Sequence, residues 1–266
     1  MTDCKFSDFV SIVKRLRKEC PWDREQTNDS IKANTIEEAY EVVEAIDNKE
    51  YDELKKELGD LLLHVVFHSV IAEENNLFKI DEVIDSIQTK LIRRHPHVFG
   101  DVMVADSNEV KKNWEEIKLG EGRESVLDGV PFNMPALQRA HRLQEKAAKV
   151  GFDWEKKEDV WKKVIEEIEE MHEIENLKSQ TSNLNNEELQ LKLENEFGDV
   201  FFAMVNYARF LGINPEDALR RTNKKFIKRF NYVQKKVKET GKAINESNLQ
   251  EMDKYWNESK KISGFD

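Results

Sequence analysis

Four blocks of this 266-residue chain occur twice, in the same order. E-E-A-Y-E at 37–41 matches E-E-I-E-E at 166–170, and E-L-G-D-L-L at 57–62 matches E-F-G-D-V-F at 196–201. K-L-I-R-R at 90–94 then matches K-F-I-K-R at 225–229, and Trp114-x-x-x-Lys118 matches Trp256-x-x-x-Lys260. Repetition that preserves order over so much of a chain means a duplicated domain, so what folds over the first half folds again over the second.

The repeats are helical in pattern. Charged residues make up 36% of the chain against 39% apolar, with only 10 Gly and 5 Pro, which suits long amphipathic helices and not a turn-rich β-sandwich. The fold class is therefore all-α, as two tandem helical-bundle domains. Gly120 to Pro135 holds three Gly and two Pro without helical periodicity and reads as a linker. The domains are then 1–119 and 136–266, with the linker over 120–135.

Within the first domain, Phe6, Phe9, Val10, Val13 and Leu16 have helical spacing, and Cys20-Pro21-Trp22-Asp23 interrupts them. Thr35, with Glu38 three residues on, is placed to cap a helix that turns Ile36, Ala39, Tyr40, Val43 and Ile46 inward. The segment from Tyr51 to Asn75 is apolar nearly all round near Asp60, which predicts a buried central helix. Helices over Ile80–His95, stopped by Pro96, and over Asp106–Lys118 complete this half. The second half repeats the plan with helices over 136–150, 160–174, 189–211, 215–240 and 248–260, and a polar loop over 176–186 expected to be mobile.

The chemistry lies in the acidic helices. Glu167 and Glu170 are three apart on one predicted helix, and Glu196 and Asp199 are three apart on the next, so each pair projects from one face. If the helices lie side by side, four carboxylates meet, and a divalent cation is the simplest way to neutralise them. Glu38, Glu41, Glu57 and Asp60 offer the same arrangement in the first half, as a second site. Acidic helix faces are commonly solvated surface, and that reading fits Glu37, Glu41, Glu166 and Glu169 taken singly. Asp60 and Asp199 resist it, because each sits amid Leu, Phe and Val.

Other candidates are weaker. His64, His68 and His172 read as packing or surface residues, and Glu169-x-x-His172, a spacing used in di-iron bundles, has no counterpart in the first half. Cys4 and Cys20 are too few for a disulfide framework and too far apart for a zinc knuckle. A net charge of −11 argues against nucleic-acid or anionic-membrane binding, since no basic surplus is available to neutralise a phosphate backbone. The first ten residues lack the pattern of a signal peptide, and no uncharged run approaches the ~20 residues of a bilayer span. A cytoplasmic protein is expected.

E-E-x-x-E, a spacer and E-x-x-D on a second helix resemble the metal-binding signature of the all-α nucleoside triphosphate pyrophosphohydrolases. The tandem layout, with C-P-W-D-x-E-Q-T, R-R-H-P-H-V-F and V-G-F-D-W in place, resembles the MazG family over essentially the whole chain. The resemblance implies Mg²⁺-dependent hydrolysis, with Mn²⁺ a substitute, of a nucleoside triphosphate to the monophosphate and pyrophosphate. It implies Glu167, Glu170, Glu196 and Asp199 as metal ligands, and Lys163, Lys192, Lys225, Arg229, Trp256 and Lys260 as nucleotide contacts. Glu166 is the candidate proton acceptor beside them. A homodimer is expected, since short bundles bury such helix pairs best against a partner.

Both halves keep the four acids, so the lysines decide between them. Aligned on the acids, Lys163 faces Asn34 and Lys192 faces Glu53. Replacing two cations in this way weakens the hold on a triphosphate, so the C-terminal half is expected to do most of the catalysis. The first half is then a vestigial site, a dimerisation module or a second enzyme. A non-catalytic nucleotide sensor is the competing class, and a related enzyme for phosphoribosyl-ATP a narrower alternative.

Overall fold

A computed structural model describes residues 3–121, 125–180 and 186–264, and among them every regular element is helical. Contacts divide the chain into two units, Met1–Gly120 and Glu121–Asp266. Among the described residues no helix is long and apolar enough to cross a membrane.

The first unit contains α1 (Asp3–Glu19), α2 (Pro21–Glu25), α3 (Asn28–Asn48), α4 (Tyr51–Glu74), α5 (Ile80–Arg94), α6 (Pro96–Phe99) and α7 (Ser107–Leu119). Helices α3 and α4 pair along their length through a two-residue connection. Lys49 makes that turn with φ 60°, in the left-handed region, and the Glu50 N–H reaches back to the Ala45 carbonyl at 3.0 Å, closing the end of α3.

Helix α3 starts seven residues before Thr35, the expected cap. Its N-cap is Thr27, whose hydroxyl accepts from the Ser30 N–H at 3.1 Å while Ser30 Oγ accepts from the Thr27 N–H at 2.9 Å. A serine thus fills the role in the capping box usually given to Glu or Gln. Thr35 instead lies inside the helix, and its hydroxyl bonds back to the Ile31 carbonyl at 3.2 Å.

The core of this unit sits at the far end of the pair. Val13 of α1, Ile31 of α3, Val66, Phe67, Val70 and Ile71 of α4 and Ile80 of α5 are buried together. Arg17, only 7% exposed, ties α1 to α4 through Glu74 Oε2 at 2.6 Å and accepts a cation–π contact from the Phe67 ring. Among the described residues no third helix covers the other end of the pair. Ile36, Tyr40 and Ile46, expected to point inward, are each more than half exposed, and Leu58 and Leu62 are exposed beside them. Asp60 is exposed for the same reason, so the expectation of a buried carboxylate there fails: two helices alone cannot enclose a core.

The second unit contains α8 (Ala136–Lys149), α9 (Lys157–Gln180), α10 (Asn186–Phe210), α11 (Pro215–Glu239) and α12 (Leu249–Ser259). Helices α9 and α10 form the equivalent pair, α8 packs on α10 and α11, and α12 packs on α11. Val160, Val164, Val205, Val233 and Val237 are almost completely buried. Helix α9 runs six residues past Ile174, so 176–180 of the polar stretch is helical; 181–185 lies outside the described residues. The end of the expected linker packs on this unit. Lys146, 5% exposed, donates from Nζ to the carbonyls of Val126 and Asp128, both at 3.0 Å.

Candidate active site

Helix pairing brings the acids together in both units. One carboxylate oxygen from each of Glu167, Glu170 and Glu196 lies within 4.8 Å of the others, and Glu38, Glu41 and Glu57 form the matching group. In each case two carboxylates one turn apart on the first helix meet one from the second. Asp199 and Asp60 stand outside these groups of three and are exposed. Asp199 nevertheless lines the same cavity as Glu167 and Lys163.

Desolvation, with like charge adding to it, shifts carboxylates in both clusters. In the second unit Glu170 is held above the ordinary carboxylate range by desolvation first; Lys163 opposes this, and the charges of Glu167, Glu166 and Glu196 add to it. In the first unit desolvation again leads, raising Glu38 with Glu41, Asp60 and Glu57 adding, and raising Glu57 with Glu41 adding.

The units differ in what balances this charge. Lys163 Nζ lies 2.7 Å from Glu166 Oε1 and 2.8 Å from Glu167 Oε1, and those hydrogen bonds raise its pKa. Its counterpart Asn34 carries no charge. The first unit instead has histidines beside its acids: His64 Nε2 is 4.0 Å from Glu38 Oε1. Thr35 Oγ1 bonds both His64 Nδ1 at 3.1 Å and His68 Nε2 at 2.9 Å, and Asn28 Oδ1 holds His68 Nδ1 at 2.8 Å. Burial holds both imidazoles below their ordinary pKa.

The remaining expected contacts are dispersed over the second unit. Lys192 pairs with Glu188 at 2.8 Å, one turn before it on α10. Lys225 and Arg229 lie on α11, half-buried. Trp256 packs against Phe226 with ring centroids 5.3 Å apart, and Lys260 donates to Asn257 Oδ1 at 2.8 Å. Of the nucleotide contacts implied by resemblance, Lys163 lines the cavity with Glu167 and Asp199. His172 pairs with Glu175 at 2.9 Å on the surface, so Glu169-x-x-His172 forms no inward-facing ligand pair.

The cavity has a volume of about 740 Å³ and opens between the loop after α8 and helices α9 and α10. Beyond the acids its wall is aromatic and amide, with Phe152, Trp154, Phe202, Gln144 and Asn206. The two amides and Arg209 escaped the sequence reading. The repeat held a signal for two of them: with Glu57 aligned on Glu196, Asn206 and Arg209 fall where the first half has Phe67 and Val70.

Two copies of an all-α unit, each with a carboxylate cluster on paired helices, define a tandem acidic-helix protein. The MazG nucleotide pyrophosphohydrolase domain matches residues 26–99 and again 155–234. The chain belongs to that family and carries its domain twice. It is 42% identical over 260 residues to the nucleoside triphosphate pyrophosphohydrolase/pyrophosphatase MazG of Thermotoga maritima, covering 96% of this chain and 95% of the relative. It is likewise 42% identical to the nucleoside triphosphate pyrophosphohydrolase of Escherichia coli (strain K12), over 95% of this chain and 96% of the relative. YabN of Bacillus subtilis (strain 168) is 48% identical over 96% of this chain and 52% of its own length.

Proposed function

We propose that the second unit hydrolyses nucleoside triphosphates to the monophosphate and pyrophosphate with Mg²⁺ at Glu167, Glu170 and Glu196, and with Asp199 completing the set. The observation that carries this is the three-carboxylate cluster, within 4.8 Å, with Glu167 on the wall of a cavity large enough for a nucleoside. The donor set fits a hard cation. All its donors are carboxylate oxygens, which suit a hard cation such as Mg²⁺, and desolvation first, with the neighbouring carboxylates adding to it, already disfavours the free anion at Glu170. Mg²⁺, or Mn²⁺ in its place, supplies positive charge for the triphosphate and lowers the pKa of the attacking water.

The chain supplies the rest. In the free site Lys163 compensates Glu166 and Glu167. Once the acids are otherwise neutralised, its ammonium is released to the triphosphate, which carries about four negative charges. Glu166, more than half exposed and hydrogen-bonded to Lys163, then takes a proton from water attacking the α-phosphorus. The bond to the β-phosphate oxygen breaks and pyrophosphate leaves. Lys192, Lys225, Arg229, Trp256 and Lys260 are assigned to the nucleotide on the family resemblance, which requires Lys192 to leave Glu188.

The chain acts as a homodimer in this reading. Phe197, Phe201 and Leu191 on α10, like Tyr40, Leu58 and Leu62 in the first unit, are exposed beside the acids, and a second helix pair would cover them. Sedimentation showing a monomer at micromolar concentration contradicts the dimer. The activity is tested by incubating the chain with a panel of nucleoside triphosphates and Mg²⁺ and identifying the products. Monophosphate and pyrophosphate in equal amounts are expected; orthophosphate and diphosphate would mean that another bond is cut.

A further inference from the structure

We propose that the cavity of the second unit is a base-reading pocket, in which Asn206 donates from Nδ2 to the nucleobase edge and Gln144 accepts from a neighbouring N–H. This rests on the pyrophosphohydrolase reading of the same site.

Size and position come first. At about 740 Å³ the cavity is within the range of small-molecule sites, and Lys163, Glu167 and Asp199 form part of its wall. A nucleotide with its phosphates at those groups has its base farther in, against Phe202 and Trp154. Both rings are partly exposed, and a base stacks on such faces whatever its identity.

The amides are oriented. Arg209 donates to Asn206 Oδ1 from Nε at 3.0 Å and from Nη2 at 2.9 Å, which fixes the carbonyl side and leaves Nδ2 to donate. Arg209 is itself held by both carboxylate oxygens of Asp153, in the loop between α8 and α9. Arg209 and Asp153 are thus positioning residues. Gln144, 8% exposed, donates from Nε2 to the Phe202 carbonyl at 2.8 Å, and its Oε1 is buried without a partner. Oε1 is closed to a water-sized probe, so a ligand N–H satisfies it once the Gln144 side chain turns that oxygen from the wall into the cavity, recovering the free energy that an unpaired buried acceptor costs.

The duplicate shows that this polarity is not demanded by the fold. Phe67 and Val70, the counterparts of Asn206 and Arg209, are 6% and 4% exposed and build the core of the first unit. The second unit gives up two core positions to an amide and a guanidinium. A donor and an acceptor lining one cavity can serve the Watson–Crick edge of a nucleobase, which presents an N–H next to a ring nitrogen or carbonyl.

The test measures kcat/KM of the full chain for ATP, CTP, GTP and UTP and for ribose 5′-triphosphate, which lacks the base. The wild type is expected to prefer its best nucleotide over the baseless compound by at least ~100-fold, the discrimination a site with buried hydrogen-bonding groups attains. Asn206→Asp still accepts from Arg209 but has no N–H to donate, and should reduce that ratio ~10-fold or more. Gln144→Leu should reduce it likewise. Ratios unchanged in both folded variants overturn the proposal, as does a ratio lost in Trp256→Ala alone. Should Gln144→Leu fail to fold, Asn206→Asp decides. If the wild type releases no pyrophosphate from any compound, the hydrolase reading falls separately. Calorimetric titration with the same Mg²⁺-nucleotides then decides: weaker binding by Asn206→Asp sustains the pocket, and equal binding overturns it.

Discussion

Lys163 Nζ lies 2.8 Å from Glu167 Oε1, so the cation best placed to hold a triphosphate is held, in the free chain, by a carboxylate of the cluster. The first unit has the same three acids and Asn34 in place of the lysine. That pairing separates the two clusters, as do the histidines beside the first and the cavity beside the second. Lys163→Met should raise KM for a nucleoside triphosphate and lower kcat/KM by roughly 10–100-fold, the loss of about 1.5–3 kcal/mol of charge-assisted hydrogen bonding. Its effect on stability should be at most about 1 kcal/mol, since Lys163 is a third exposed and the pair is screened. Steady-state kinetics beside urea denaturation check both; a large loss of stability with unchanged KM would make the lysine structural.

Crowding at the cluster predicts a response to metal without substrate. Glu170 has its folded pKa raised, so its contribution to stability is present below the unfolded carboxylate pKa and lost as pH rises through the folded value. At neutral pH the ionised Glu170 is therefore a destabilising member of the site until a cation arrives. Millimolar Mg²⁺ should raise the melting temperature, by mass action on the folded state. Glu196→Gln should raise the metal-free melting temperature slightly and remove most of the Mg²⁺-induced rise. Scanning calorimetry with and without Mg²⁺ reads both, and an undiminished rise in the variant would place the cation elsewhere.

The first unit should respond to pH through His64 and His68. Burial lowers both folded pKa values below the ordinary 6.5. The unfolded chain then binds more protons, so their contribution is fully present above about pH 6.5 and is lost as pH falls through the folded values. Imidazole titration by NMR should place both midpoints below pH 6.5, and His68→Gln should flatten the acid loss of stability. Midpoints at or above 6.5 would contradict the burial of the pair.

Periodicity and the repeat made the helices and their pairing legible, because both depend on local pattern. Which helix faces are covered depends on where the third helix stops, and no local pattern records that. Thus Asp60 reads as buried from its apolar neighbours and is exposed, while Ile36 and Tyr40 lie open. The start of α3 was hidden because Ser30 performs the capping role expected of Glu38 from Thr35. Three carboxylates of each cluster were legible from spacing, while Asp60 and Asp199, expected with them, stand outside the groups of three. Asn206 was not, since an isolated amide in an apolar helix carries no signal until it is set against Phe67 in the other copy.

The central claim is that the second cluster, and not the first, carries the hydrolysis. Glu57→Ala and Glu196→Ala remove the corresponding ligand from each, and the measurement is pyrophosphate release by the full-length chain at saturating Mg²⁺. The account predicts that Glu196→Ala loses ~100-fold or more, on the scale of a lost electrostatic contact in the transition state, while Glu57→Ala stays within about 2-fold of the wild type. Comparable losses in the two variants would contradict it.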